Sequence, residues 1–194
     1  MGTTKVARKT KETDITLEFN LQGSGKSHIA TGIGFFDHML ELFAFHGCFD
    51  LDLNCTGDVQ VCGHHTVEDV GIVLGQAFNK GLPANKNIVR YGTAFVPMDE
   101  SLAMAVVDVS GRPCLIFEAE FVQPKVGDFE TELVKEFFRA FVNHAQITLH
   151  LKILSGENTH HKIEALFKAA ARAMRQAVQI DPKREGPAST KGVV

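Results

Sequence analysis

The stretch HHTVEDVGIVLGQAF, residues 64–78, returns later in the chain as HHKIEALFKAAARAM, residues 160–174. The two copies lie 96 positions apart, and each opens with two adjacent histidines followed by a glutamate. Upstream, HMLELFAFHGCFDLDL from residue 38 matches EFFRAFVNHAQITLHL from residue 136. A self-match at a nearly constant separation indicates internal duplication. The sequence therefore predicts a chain built from two similar halves.

In each half, strand-like alternation and turn signals come before the helical periodicity. The first strand is predicted at 14–20 in one half and at 101–109 in the other. Each is followed by a strand, a helix, a strand and a helix. The helices are predicted at 35–45 and 64–80 in the first half, and at 130–143 and 160–178 in the second. The predicted fold class is α+β, in which each half is a small mixed β-sheet with two helices on one face and the helices of the halves pack together. We expect the halves to be 1–93 and 94–180, followed by a tail at 181–194.

Composition excludes several classes of protein. The 194 residues carry a net charge of −3 and are 44% hydrophobic, so a packed core is expected without a strong affinity for polyanions such as nucleic acids. No apolar run is long enough to span a bilayer, and the first residues lack the apolar core of an export signal. The four cysteines form no CxxC pair. We expect a cytoplasmic protein with reduced thiols and no membrane partner.

The histidine pairs predict a metal site. Successive helical residues turn by about 100°, so Glu164 should project between His160 and His161, away from the apolar face. The first copy repeats this arrangement with His64, His65 and Glu68. Imidazole and carboxylate groups without a thiolate suit one or two ions of Mn, Fe, Co, Ni or Zn.

The rest of the repeat suggests further site residues. His38 and Glu136 stand at equivalent places near the starts of the shorter helices, where they either complete the metal coordination or serve as polar groups at a helix start. Lys168 lies on the ligand-bearing side of its helix, whereas the first copy has Ile72 there. This asymmetry favours an anion at one end of the site. A solvated basic helix surface would explain the spacing equally well.

Several motifs in order resemble those of the imidazoleglycerol-phosphate dehydratases of histidine biosynthesis. They are TGIGFFDHML, GHHTVEDVGIVLGQA, PMDESL, VDVSGRP, HHKIEALFKAAARA and STKG, and the resemblance runs from about Ala7 to the C-terminus. It implies a hydro-lyase that converts imidazole glycerol phosphate to imidazole acetol phosphate with two Mn²⁺ per active site. It also implies a homo-oligomer in which trimers assemble into a 24-subunit shell, with active sites between subunits.

The resemblance assigns roles to individual residues. The implied metal ligands are His38, His64, His65, Glu68, Glu136, His160, His161 and Glu164. The implied phosphate-binding residues are Arg90, Arg112, Lys168, Ser189 and Lys191. Glu12 matches a glutamate beside the glycerol chain of the substrate and is the candidate general acid or base. The predicted catalytic set is Glu12, His65, Glu68, His161 and Glu164.

Two positions depart from the family's pattern, and two other functions remain open. Cys62 stands where an aspartate is common, and Glu136 stands where some members have histidine. Neither departure removes the core ligand set.

The alternative functions are a non-catalytic assembly protein whose metal clusters bridge subunits, and a dinuclear metallohydrolase acting on a phosphorylated small molecule.

Overall fold

The computed structural model describes residues 2–84 and 87–191. The first half consists of β1 (Thr4–Lys9), β2 (Thr13–Asn20), β3 (Ser27–Ala30), α1 (Gly34–Gly47), β4 (Asp50–Gly57) and α2 (His64–Gly81). Its four strands form one mixed sheet in the order β1-β2-β4-β3, in which only β3 runs parallel to its neighbour.

The second half repeats this arrangement. It consists of β5 (Tyr91–Met98), β6 (Ser101–Asp108), β7 (Cys114–Glu118), β8 (Lys125–Val126), β9 (Phe129–Glu130), α3 (Leu133–Ala145), β10 (Thr148–Ser155) and α4 (Thr159–Ala177). The sheet order β5-β6-β10-β7 matches that of the first half strand for strand, and again only the last pair is parallel. The short hairpin β8–β9 has no counterpart among the described residues of the first half.

The predicted α+β class is confirmed, and the structure adds one strand at the start of each half. In β1 only Val6 is buried, so the strand lacks the apolar alternation that marks a half-buried strand. In β5, Gly92 and Pro97 are residues that sequence patterns associate with turns and edge strands. The expected division after residue 93 falls inside β5. Because β5 is the edge strand of the second sheet and pairs with β6, we propose that the second half begins at this strand.

The helices lie between the two sheets. Strands β2, β4 and β6 alternate buried and less buried residues, so each sheet turns one apolar face toward the helices. Helix α2 packs on α3 and α1 packs on α4, so the main helical partner of each helix comes from the other half. Within the described ranges, no helix is long and apolar enough to cross a membrane.

Phenylalanine side chains join the four helices. On α3, the ring of Phe137 lies 5.4 Å from that of Phe36 on α1 and 5.3 Å from that of Phe167 on α4, measured between centroids. The ring of Phe141 lies 5.6 Å from that of Phe78 on α2. All five are almost fully buried, and such rings contribute much of the apolar area of a core.

Close contact between α2 and α3 depends on glycine. A methyl group on Gly75 would lie 2.4 Å from the carbonyl oxygen of Phe141 and 2.9 Å from the backbone nitrogen of Ala145. Gly71, one turn earlier, faces the backbone of Phe137 at 2.8 Å. These three neighbouring atoms all belong to the α3 backbone, which cannot move aside as a side chain can.

We therefore expect Gly75→Ala to destabilise the fold by about 3 kcal/mol, the upper end of the usual cost of overpacking. The gain in helix propensity, about 1 kcal/mol, offsets only part of that cost. The matched control is Gly34→Ala in the first turn of α1, where a methyl group meets no atom within 4 Å. Denaturant unfolding at fixed protein and metal concentrations measures both variants. Equal stability of the two variants would contradict this account of the interface.

Candidate functional site

Two helices from different halves bring three potential metal ligands together. His38 comes from α1, and His160 and Glu164 come from the first turns of α4. One ligand atom from each lies within 4.8 Å of the others. Glu164 Oε2 is 3.1 Å from Nε2 of His160 and 3.8 Å from Nε2 of His38. Two imidazoles and one carboxylate at this spacing fit a divalent cation of intermediate softness.

Lys168 lies against this group. Its ammonium contacts the carboxylate of Glu164 one turn away and lies 3.6 Å from Sδ of Met98. Burial raises the pKa of Glu164, but the hydrogen bonds and charges of Lys168 and His160 outweigh burial and lower that pKa below its usual value. Glu164 is therefore a carboxylate at neutral pH, as a metal ligand must be.

The first-half counterpart of this group is more open. His64 Nε2 lies 3.9 Å from Glu68 Oε2, and about half of each side chain is exposed. Glu136, at the start of α3, accepts a hydrogen bond of 2.7 Å from Arg139. The structure thus brings His64 and Glu68 together, while the carboxylate of Glu136 is held by an arginine of its own helix.

The second histidine of each pair faces another way from the first and meets a carboxylate of a different element. On α4, His160 faces α1, whereas Nδ1 of His161 lies 2.8 Å from Oε2 of Glu100 in the β5–β6 turn. On α2, Nδ1 of His65 lies 3.1 Å from both carboxylate oxygens of Asp58. Adjacent helical residues point about 100° apart, so each histidine of a pair meets a different neighbouring element.

These carboxylates affect the pKa and the tautomer of the two imidazoles. The hydrogen bond to Asp58 raises the pKa of His65, and that to Glu100 raises the pKa of His161. In return, His161 holds the pKa of Glu100 far below its usual range. A carboxylate on Nδ1 favours the tautomer that carries its proton there, which leaves Nε2 free to bind a metal.

The candidate acid or base Glu12 lies in the β1–β2 turn. Its Oε1 is 3.8 Å from Nε2 of His65, and about half of its side chain is exposed. The turn is attached to helix α2, because Oγ1 of Thr13 donates a hydrogen bond of 2.5 Å to Asp69, a buried residue of that helix. Asp69 also pairs with Arg8 at 2.9 Å. Glu12 is therefore a solvent-accessible carboxylate in a turn that hydrogen bonds hold in place.

Four of the five predicted phosphate-binding residues line one groove of about 570 Å³, and they are Arg90, Arg112, Ser189 and Lys191. Arg184 adds a further cation there. Lys168 is not among the lining residues of this groove, because it lies on α4 beside Glu164. A groove lined by guanidinium, ammonium and hydroxyl groups suits a phosphate.

Arg90 holds the C-terminal tail over this groove. Its backbone is in the left-handed region, with φ of 77°, and its Nη1 donates a hydrogen bond of 2.7 Å to the carbonyl oxygen of Ala188. Asp108 accepts hydrogen bonds from Nε and Nη2 of the same guanidinium. A non-glycine residue in this region is costly and persists where its surroundings enforce it.

Sequence reasoning missed four polar residues of these sites, namely Asp58, Glu100, Asp108 and Arg184. Glu100 and Asp108 lie inside motifs that carry the family resemblance, PMDESL and VDVSGRP, but these motifs assign them no role. For Glu100, alignment of the first hairpin of each half would have provided the signal. Cys62, in the loop before α2, is a partly buried free thiol, and no contact of its side chain with residues 2–84 or 87–191 suggests a function.

The chain is similar to known proteins over most of its length. The family model for imidazoleglycerol-phosphate dehydratase matches residues 31–174. The chain is 60% identical to the imidazoleglycerol-phosphate dehydratase of Acetivibrio thermocellus over 98% of this chain and 97% of that protein, and 56% identical to that of Clostridium novyi over 96% and 95%. A solved structure of the Staphylococcus aureus enzyme superimposes with a TM-score of 0.85 at 44% identity, over 93% of this chain and all of that one. The chain therefore belongs to the imidazoleglycerol-phosphate dehydratase family, a family of dehydratases in histidine biosynthesis.

Proposed function

We propose that this chain is a manganese-dependent hydro-lyase that converts imidazole glycerol phosphate to imidazole acetol phosphate and water. The observation that carries the metal dependence is the group of His38, His160 and Glu164, which offers two imidazole nitrogens and an ionised carboxylate within 4.8 Å. Relatives at 54–60% identity carry the name of the dehydratase. Family membership disfavours the metallohydrolase and the non-catalytic assembly protein.

The ligand set that we propose for two Mn²⁺ per active site consists of His38, His64, His65, Glu68, Glu136, His160, His161 and Glu164. When bound, the metals would act as Lewis acids toward the substrate's imidazole and as a template for its orientation. The five histidines offer nitrogen and the three glutamates offer oxygen, a mixture that suits Mn²⁺.

One chain does not gather these eight residues around a common point. His38, His160 and Glu164 converge, whereas His65 and His161 face the β1–β2 and β5–β6 turns. This arrangement supports the proposal that residues of neighbouring subunits complete each site. As the family resemblance implies, we propose trimers that assemble further into a 24-subunit shell.

The reaction removes a poorly acidic C–H proton and a poor leaving group, hydroxide, from neighbouring carbons. Glu12 is proposed to move the proton, since its carboxylate is accessible and lies beside His65. Arg90, Arg112, Ser189 and Lys191 would hold the phosphate in the groove, and Lys168 would supply a further cation from α4. Holding the phosphate fixes the reacting carbons relative to Glu12. His65, Glu68, His161 and Glu164 complete the proposed catalytic set.

The direct test is to incubate the Mn²⁺-loaded chain with imidazole glycerol phosphate and to measure the keto product and inorganic phosphate separately. We expect stoichiometric imidazole acetol phosphate without phosphate release. A metallohydrolase would release phosphate instead. Absence of turnover in an intact oligomer would contradict the proposed function. We place the enzyme in the cytoplasm, where its four cysteines would stay reduced.

A further inference from the structure

The two halves of the chain carry a glutamate at the same point of their first hairpin. In the first half, Lys9 pairs with Asp14 across the β1–β2 turn, and Glu12 follows Lys9 by three residues. In the second half, Pro97 pairs with Leu102 across the β5–β6 turn, and Glu100 follows Pro97 by three residues. Glu12 and Glu100 are therefore equivalent residues of the duplicated fold.

Contacts within its own half engage both oxygens of Glu100. Oε1 accepts hydrogen bonds from the hydroxyl of Ser101 at 3.0 Å and from the backbone N–H groups of Glu157 and Asn158 at 3.2 and 2.9 Å. Oε2 lies 2.8 Å from Nδ1 of His161. The carboxylate of Glu100 thus joins the β5–β6 hairpin to the loop before α4 and to His161, the second histidine of the pair on α4.

Glu12 is used differently. Its carboxylate makes no hydrogen bond within the described part of the chain, and its Oε1 lies 3.8 Å from Nε2 of His65. Nδ1 of His65 is instead bonded by Asp58, which follows the end of β4. Both halves thus place a carboxylate on Nδ1 of the second histidine, but only the second half uses the hairpin glutamate for it.

We propose that Glu100 is a positioning residue for His161, and that this role separates it from its duplicate, Glu12. By accepting a hydrogen bond from Nδ1–H, Glu100 holds the imidazole in the tautomer whose Nε2 carries a lone pair that can bind Mn²⁺. Asp58 performs this task for His65, so Glu12 remains free to move protons. This inference rests on the proposed function, since it assumes that His161 is a metal ligand.

The distribution of contacts on Glu100 makes glutamine an informative substitution. A glutamine side chain has one oxygen and one NH₂ group. We expect its oxygen to keep accepting the hydrogen bonds from the backbone N–H groups of Glu157 and Asn158. The NH₂ group then faces Nδ1 of His161 and donates to it. The imidazole must place its own proton on Nε2, where it blocks coordination.

The experiment uses the full-length chain and measures Mn²⁺ binding by the electron paramagnetic resonance of free Mn²⁺. We expect E100Q to weaken one class of Mn²⁺ sites by about 10–100-fold, the usual effect of losing the hydrogen-bond partner of a metal-bound histidine. D58N should weaken binding by a similar factor through His65. The matched control is Glu12→Gln at the equivalent hairpin position, which should bind Mn²⁺ as the wild type does.

Thermal unfolding of the metal-free chains separates positioning from a merely structural role. E100Q should unfold near the wild-type Tm, because its amide oxygen keeps the backbone hydrogen bonds of the loop before α4. If E100Q bound Mn²⁺ with wild-type affinity, the positioning role of Glu100 would be overturned, while the proposed function would stand. The same holds if the loss of affinity came with a large fall in the Tm of the metal-free chain. Equal loss in E100Q and in Glu12→Gln would overturn the division of roles. Failure of the wild-type chain to bind Mn²⁺ would overturn the proposed function as well.

Discussion

Glu164→Gln should lower the Mn²⁺ stoichiometry of the protein and reduce kcat by on the order of 10³-fold or more. Glu164 is the carboxylate shared by His38 and His160, and a neutral amide is a poor ligand in its place. Metal Lewis acids stabilise developing charge by several kcal/mol, and each ~1.4 kcal/mol corresponds to a factor of ten in rate. Mn²⁺ titration and steady-state kinetics measure the two effects.

The substitution also removes the partner of Lys168, whose side chain is only 15% exposed. Breaking such a pair destabilises the fold, so circular dichroism must accompany the titration. His160→Asn provides a second variant that leaves the Lys168–Glu164 pair intact and should lose metal in the same way. Glu18→Gln, in an exposed ion pair with Lys5 on β1, is the control and should behave as wild type. Normal metal content in both site variants would contradict the proposed centre.

Glu12→Gln should reduce kcat by about 10²–10⁴-fold, the usual contribution of general acid–base catalysis, while Mn²⁺ affinity and KM change little. The amide keeps the size of the carboxylate but cannot take up a proton. Because no hydrogen bond within the described residues depends on the Glu12 side chain, its replacement should not disturb the turn. Formation of imidazole acetol phosphate, followed at saturating substrate, measures the effect.

Asp14→Asn is the matched control for Glu12, since Asp14 is an exposed carboxylate of the same hairpin that pairs with Lys9. Its loss should leave kcat at the wild-type value. Wild-type turnover in Glu12→Gln would remove this residue from the mechanism. A rise in KM without a fall in kcat would assign it to binding of the glycerol chain instead.

Much of the fold was predictable because duplication and periodicity are visible along the chain. The helices at the histidine pairs carry a 3.6-residue apolar pattern, and their predicted starts at 64 and 160 lie within one residue of those of α2 and α4. Strand β1 was not predicted, because it is an edge strand with a single buried residue and so lacks apolar alternation. Helix α3 begins at Leu133 instead of 130 because Glu130 pairs in the hairpin β8–β9.

The amino-acid sequence alone specifies which residue types are available for chemistry and shows that they occur twice. A repeated histidine pair and the shared motifs suffice for this, since both are properties of the linear order. The folded chain is needed to bring His160 to His38 and Glu164. Folding also places Glu100 beside His161, and Arg184 in one groove with Arg90. Neighbouring side chains on a helix diverge by about 100°, so their partners come from hairpins and helices far away in the chain. No spacing along the chain encodes such partners, because packing between elements brings them together.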